Sequence, residues 1–205
     1  MPRQNRVDPF GDIHAVPQRG MLMGNRGNLH LTNGQLVRSF KRKEWVTCLT
    51  EFRNRHRSIM EPGHYTELFF LDESTSLAAG HRPCGTCRKE ALVRFKDCWR
   101  VAMSVPLSVG LDLKEMDKRL HMERLHRNYA IAYLSELPDG VMVLPESESR
   151  PHLWWRGKLW EWTFDGYRTP TILQPPTEVS VLTPDSLVKV LDAGYPVMVH
   201  TSAGT

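Results

Sequence analysis

The chain has 205 residues, 40% of them hydrophobic and 24% charged, with a formal net charge of +4. That length holds one sizeable core or two small ones, and no apolar run reaches the roughly eighteen residues of a membrane helix. The N-terminal stretch "MPRQNRVDPFGDIH" has no apolar signal-peptide region, so a cytoplasmic setting without a membrane partner is expected.

Charge is uneven along the chain. Residues 1–100 carry 17 Lys and Arg against 10 Asp and Glu, and residues 101–205 carry 10 against 13. The basic half points to an anionic partner, with nucleic acid foremost and a plain solvated surface as the alternative. Its best placed cations are Lys41, Arg42, Lys43, Arg53, Arg55 and Arg57. The same half holds all four cysteines, Cys48, Cys84, Cys87 and Cys98. In a reducing compartment these serve metal binding, redox chemistry or burial rather than a disulfide framework.

In chain order, residues 1–28 read as loop with one short strand. "LHLTNGQLV" follows as a hairpin, because Asn33-Gly34 supplies the positive φ angles of a type I′ turn. "EWVTCLTEF", "SIM" and "GHYTELFFL" read as strands from their β-branched and aromatic content. "LDESTSLAAG" is a short helix, with Asp72 or Ser74 as its cap and Gly80 as its left-handed end. "CRKEALVRFKDCWRVAM" is an amphipathic helix whose apolar face includes Cys98 as a core residue. After a linker, "DLKEMDKRLHMERLHRNYAIAYLSEL" is one long helix. The remainder turns to strands, "GVMVL", "HLWWRGKLWEWTF", "EVSVL" and "PVMVH", with a hairpin tip at Arg156-Gly157 and a capped helix in "TPDSLVKVLDAG".

The expected fold is α+β: a small antiparallel N-terminal sheet with a zinc knuckle, central helices and a mainly antiparallel C-terminal sheet. Residues 1–104 and 105–205 form two modules or one continuous domain.

"GHRPCGTCR", residues 80–88, carries the clearest chemistry. A CxxC turn presents two sulfurs on one side of a tight bend, and the helix start behind it favours thiolates. A thioredoxin-like redox pair is the rival, but that motif sits between a strand and a helix, whereas a short helix and Gly80 precede it here. Metal is therefore preferred over redox.

The stretch "LFFLDESTSLAAGHRPCGTC" resembles the second half of the zinc-binding N-terminal domain of the bacterial Ada DNA-repair family. Phe69-Phe70, the short helix closing in Ala79-Gly80, Arg82-Pro83 and the Cys84/Cys87 pair match that pattern without gaps over about twenty residues. His81 stands where the family has Phe or Tyr. The resemblance implies a Zn2+ site with Cys84 and Cys87 as its second pair of ligands and His81 as a packed ring. The family's first ligand pair comes from a Cys-Arg-Pro-x-x-Cys-like loop that this chain lacks. Cys48, the only upstream cysteine, is the third ligand on this reading. His30 is chosen as the fourth, ahead of His56, His64, an acidic residue, Cys98 or water. In the family one zinc-bound thiolate accepts a methyl group from DNA; Cys48 would be that acceptor, but a closed structural site is preferred.

Two other groups could carry chemistry. His121 and Arg124, three apart on the long helix, share a face that could bind an anion or serve acid–base chemistry, with Glu123 alongside; a solvated helix face is the alternative. Trp154, Trp155, Trp160 and Trp162 crowd one hairpin, where core packing competes with an exposed stacking or protein-interaction surface. The sequence thus reads as a zinc protein that binds nucleic acid, with an enzyme acting on a nucleic acid or phosphorylated small molecule, or an interaction module, as alternatives.

Overall fold

The computed structural model describes residues 1–54, 58–126, 128–146, 148–171 and 177–204. Arg55, His56 and Arg57 lie outside the described residues.

The first sheet is built from β1 (Gln4–Val7), β2 (Ile13–Ala15), β3 (Leu22–Asn25), β4 (Val46–Leu49), β5 (Leu68–Phe70) and β6 (Arg82–Pro83), in the order β2-β1-β5-β3-β4-β6. It is mixed, not antiparallel as its hairpin signals suggested: β1 runs parallel to β5, and β4 parallel to β6. Parallel neighbours need a crossover. Helix α1 (Glu73–Ala78) supplies part of one, turning the chain from β5 back beside β4.

The second sheet holds β7 (Ala130–Tyr133), β8 (Met142–Pro145), β9 (His152–Trp155), β10 (Lys158–Thr163), β11 (Gly166–Tyr167) and β12 (Glu178–Val181). Its order is β11-β10-β9-β8-β12-β7, with every pairing antiparallel. Arg156 and Gly157, both at positive φ, form the two-residue tip between β9 and β10. That backbone matches the twist of the flanking strands. Helices α2 (Lys89–Ala102), α3 (Leu113–Leu125) and α4 (Asp185–Asp192) complete the fold, which is α+β as expected.

Several local expectations change. The long helix stops at Leu125, and Ala130–Tyr133 becomes an edge strand paired with β12. Pairing across the sheet overrides the helical pattern of that stretch. The Asn33-Gly34 segment is a wider loop: Leu31 and Gln35 are hydrogen-bonded, His30 bridges Leu36, and only Gly34 has positive φ. "SIM" and "PVMVH" are not strands.

The largest apolar cluster joins Leu77, Phe95 and Trp99 to Leu120, Val141 and Leu187, so the core runs across residue 104. A second cluster packs Leu71 and Ala78 against Met142, Leu153 and Trp162 of the second sheet. Every residue of α1 is buried between these groups.

Two carboxylates at its start are buried with it. Asp72 accepts from Thr75 N, Thr75 Oγ1, the Tyr167 hydroxyl and His200 N. Glu73 accepts from the Tyr195 hydroxyl and Met198 N, and its carboxylate lies 2.8 Å from Arg88 Nη2. Burial raises the Asp72 carboxyl above its usual range, against the pull of these donors.

Candidate metal centre

The parallel register of β4 and β6 places Val46 opposite Arg82 and Thr47 opposite Pro83. The next pair in that register is Cys48 and Cys84, and Cys84 N donates to Thr47 O at 2.9 Å. The CxxC turn then brings Cys87 round, with Arg88 N bonded to Cys84 O at 3.0 Å as α2 begins. The three Sγ atoms lie within 4.8 Å of one another. Tetrahedral zinc holds sulfur at about 2.3 Å, which sets thiolates about 3.8 Å apart, so small side-chain adjustments suffice.

The surroundings suit thiolates. Thr86 N points at Cys84 Sγ and Leu49 N at Cys87 Sγ, each at 3.4 Å. The three sulfurs also share charge unequally. A hydrogen bond from Cys48, then the backbone N–H groups, hold Cys84 well below the ordinary thiol range. That same hydrogen bond, followed by burial, pushes Cys48 up. Burial, then repulsion from Cys84, raises Cys87. A divalent cation would relieve this competition by accepting all three as thiolates.

Among the described residues no fourth histidine, cysteine or carboxylate joins the trio. His30, the chosen fourth ligand, is elsewhere. It is buried beside Thr66, with Nδ1 at 2.6 Å from the Thr66 hydroxyl and Nε2 at 3.3 Å from Glu61 O. Both ring nitrogens are used to fix the 29–36 loop against the 61–66 turn. His64 is exposed near Pro62 and Glu61. Cys98 packs partly buried against the main core, as its helix face implied.

The residues leading into the knuckle have structural partners. His81 is fully buried, its ring 4.7 Å from that of Phe70 and 5.2 Å from that of Trp45. Arg82 makes a buried two-point ion pair with Asp117 of α3, at 2.7 and 2.6 Å. Asp117 lies 35 residues away on another element, and no local spacing points to it.

The other candidates separate. Lys41, Arg42, Lys43 and Arg53 are exposed, while Arg55 and Arg57 lie outside the described residues. His121 is buried rather than solvated, and Arg124 Nη2 donates to its Nδ1 at 2.8 Å. Glu123 turns to α4, where its carboxylate accepts from Ser186 N and Ser186 Oγ. It is a helix cap supplied from a neighbouring helix, a role with no signal in the local sequence. None of the four tryptophans of the β9–β10 hairpin is exposed; Trp162 Nε1 donates to Thr75 Oγ1 and Trp154 Nε1 to Leu137 O. The exposed aromatic surface that an interaction module needs is absent from this hairpin.

Among the described residues no helix is long and apolar enough to cross a membrane. The chain matches no protein-family model, no curated protein and no solved structure.

Proposed function

We propose that the protein binds zinc through Cys48, Cys84 and Cys87, and that this centre ties the first sheet to α2. The observation that carries the reading is the convergence of three sulfurs from two chain segments, with two backbone N–H groups aimed at them. Thiolates in such a set select soft or borderline cations, and zinc takes them in a tetrahedral shell. When bound, the ion cross-links β4 to the start of α2; a fourth ligand completes the shell. The likeness of residues 68–87 to the Ada-type zinc domain supports the same assignment.

Metal analysis of the purified chain tests it. About one zinc per chain is expected, lost in Cys84→Ser and Cys48→Ser and retained in Cys98→Ser and His30→Ala. Full zinc occupancy in Cys84→Ser would end the zinc model.

Nucleic acid is the partner this reading favours, in keeping with a cytoplasmic setting. Its support is the exposed run Lys41, Arg42 and Lys43, none of which is paired with a carboxylate among the described residues. Phosphate binding by such a surface falls steeply with salt. Oligonucleotide binding measured by fluorescence anisotropy should weaken along a linear log–log salt plot and again on changing these three residues to Gln. Binding that ignores salt would sink the nucleic-acid reading and leave the zinc site untouched.

A further inference from the structure

A cavity of about 420 Å³ opens between the 39–45 loop, the end of α3, β7 and the start of α4. Drug-sized and cofactor ligands occupy sites of this order. Its walls are largely apolar, with Phe10, Phe40, Trp45 and Tyr129 contributing rings, and two guanidinium groups, Arg26 and Arg124, reach it.

The charge there is unusual in kind. Arg26 is only 1% exposed, yet its Cζ sits 4.1 Å from the centre of the Trp45 ring, and that of Arg124 sits 3.7 Å from the same ring. Among the described residues the acceptors of Arg124 are the carbonyls of Gly80 and Lys43 and the His121 ring, none of them charged, and its Nε is buried without a partner. The carboxylates lining the cavity are engaged: Glu123 by Ser186 and Arg119, Asp185 by Lys189. Burial, then repulsion from Arg26, lowers Arg124 to about 9 against the opposing pull of Asp117 and Glu44. Burial first, then these same guanidiniums, holds His81 below its ordinary range; at His121 burial is followed by Arg124 and Lys43. Arg124 is therefore a cation in a poorly solvated wall.

We propose that this cavity is a ligand site for a small oxyanion, carboxylate or phosphate, borne on an apolar aromatic body. The anionic head meets the guanidinium of Arg124, a charge-assisted contact that its carbonyl and imidazole acceptors do not supply. The body fills the space between the rings and the aliphatic wall. The assignment does not depend on the metal centre.

Calorimetric titration of the full zinc-loaded chain tests it with phenyl phosphate, 2-naphthoate, inorganic phosphate and the uncharged 2-naphthalenemethanol. Phenyl phosphate or 2-naphthoate should bind, and which of them binds more tightly identifies the head group. Inorganic phosphate and the alcohol should each bind about tenfold or more weakly, one lacking the body and the other the charge. Arg124→Gln, checked for cooperative unfolding, should weaken binding by about tenfold or more. Ala132→Phe, which fills the cavity wall and leaves every charge in place, should abolish it. The proposal is overturned if neither aromatic anion binds, if the alcohol binds as tightly as the naphthoate, or if Ala132→Phe binds like the unmodified chain.

Discussion

Arg82 and Asp117 show how much a single side chain can carry here. Both are buried, and each neutralises the other. Removing one partner strands the other charge, so Asp117→Ala should cost about 3–5 kcal/mol in urea unfolding. Replacing both with apolar residues of similar volume should recover most of that loss. His81 makes a second residue-level case, through pH. Its ring titrates below the ordinary 6.5 because it is buried and faces Arg26 and Arg124. Below about pH 6.5 the unfolded chain therefore takes up a proton that the folded chain refuses. Stability from this group is complete above that pH and is lost as pH falls; burial acts on His121 and His152 in the same direction. His81→Phe should flatten the loss, read as unfolding midpoint against pH between about 7.5 and 5. Local sequence made the Cys84/Cys87 pair and the packed His81 legible, since their cues lie within a few residues. Asp117 was invisible because an ion pair between elements leaves no mark in spacing. His30 misled for the converse reason: a histidine near a cysteine strand reads as a ligand until Thr66 and Glu61 are seen to occupy its nitrogens.

At the scale of elements, α1 and α4 owe their positions to groups outside themselves. Six residues are too few for a helix to persist alone. α1 is held by its own cap, Asp72, and by the donors that converge on Asp72 and Glu73 from residues 167–200. Asp72→Ala would leave four donors unanswered in the interior, and a loss of more than about 3 kcal/mol is expected in chemical denaturation. The cap at α4 is a milder case. Glu123→Ala should cost about 1 kcal/mol, as loss of an N-terminal cap does elsewhere. Asp72 or Ser74 could be read as the cap of α1, and the structure selects Asp72; its end could be read from Gly80, which has φ +78. At that position a Cβ would also lie 2.8 Å from Arg124 Cδ, a packing reason that only the fold reveals. The strand at 130–133 could not be read, because its alanines suit a helix and only the free edge of β12 recruits them.

Across the whole molecule, the composition shift near residue 104 divides charge but not the core. Leu77, Phe95 and Trp99 bury themselves against residues that follow that point. A fragment ending at residue 104 should therefore lack a cooperative unfolding transition and bind a hydrophobic dye, whereas the full chain should unfold cooperatively. The polar centre at α1 adds a constraint in time. Asp72 and Glu73 receive N–H groups from residues 128 and 125 positions further along. At roughly 5–20 residues per second, a ribosome takes on the order of 6–25 s to make that intervening length. For that interval the nascent chain holds two carboxylates that cannot enter an interior without their donors. The full set of donors to α1 is complete only once the 195–200 segment has left the exit tunnel.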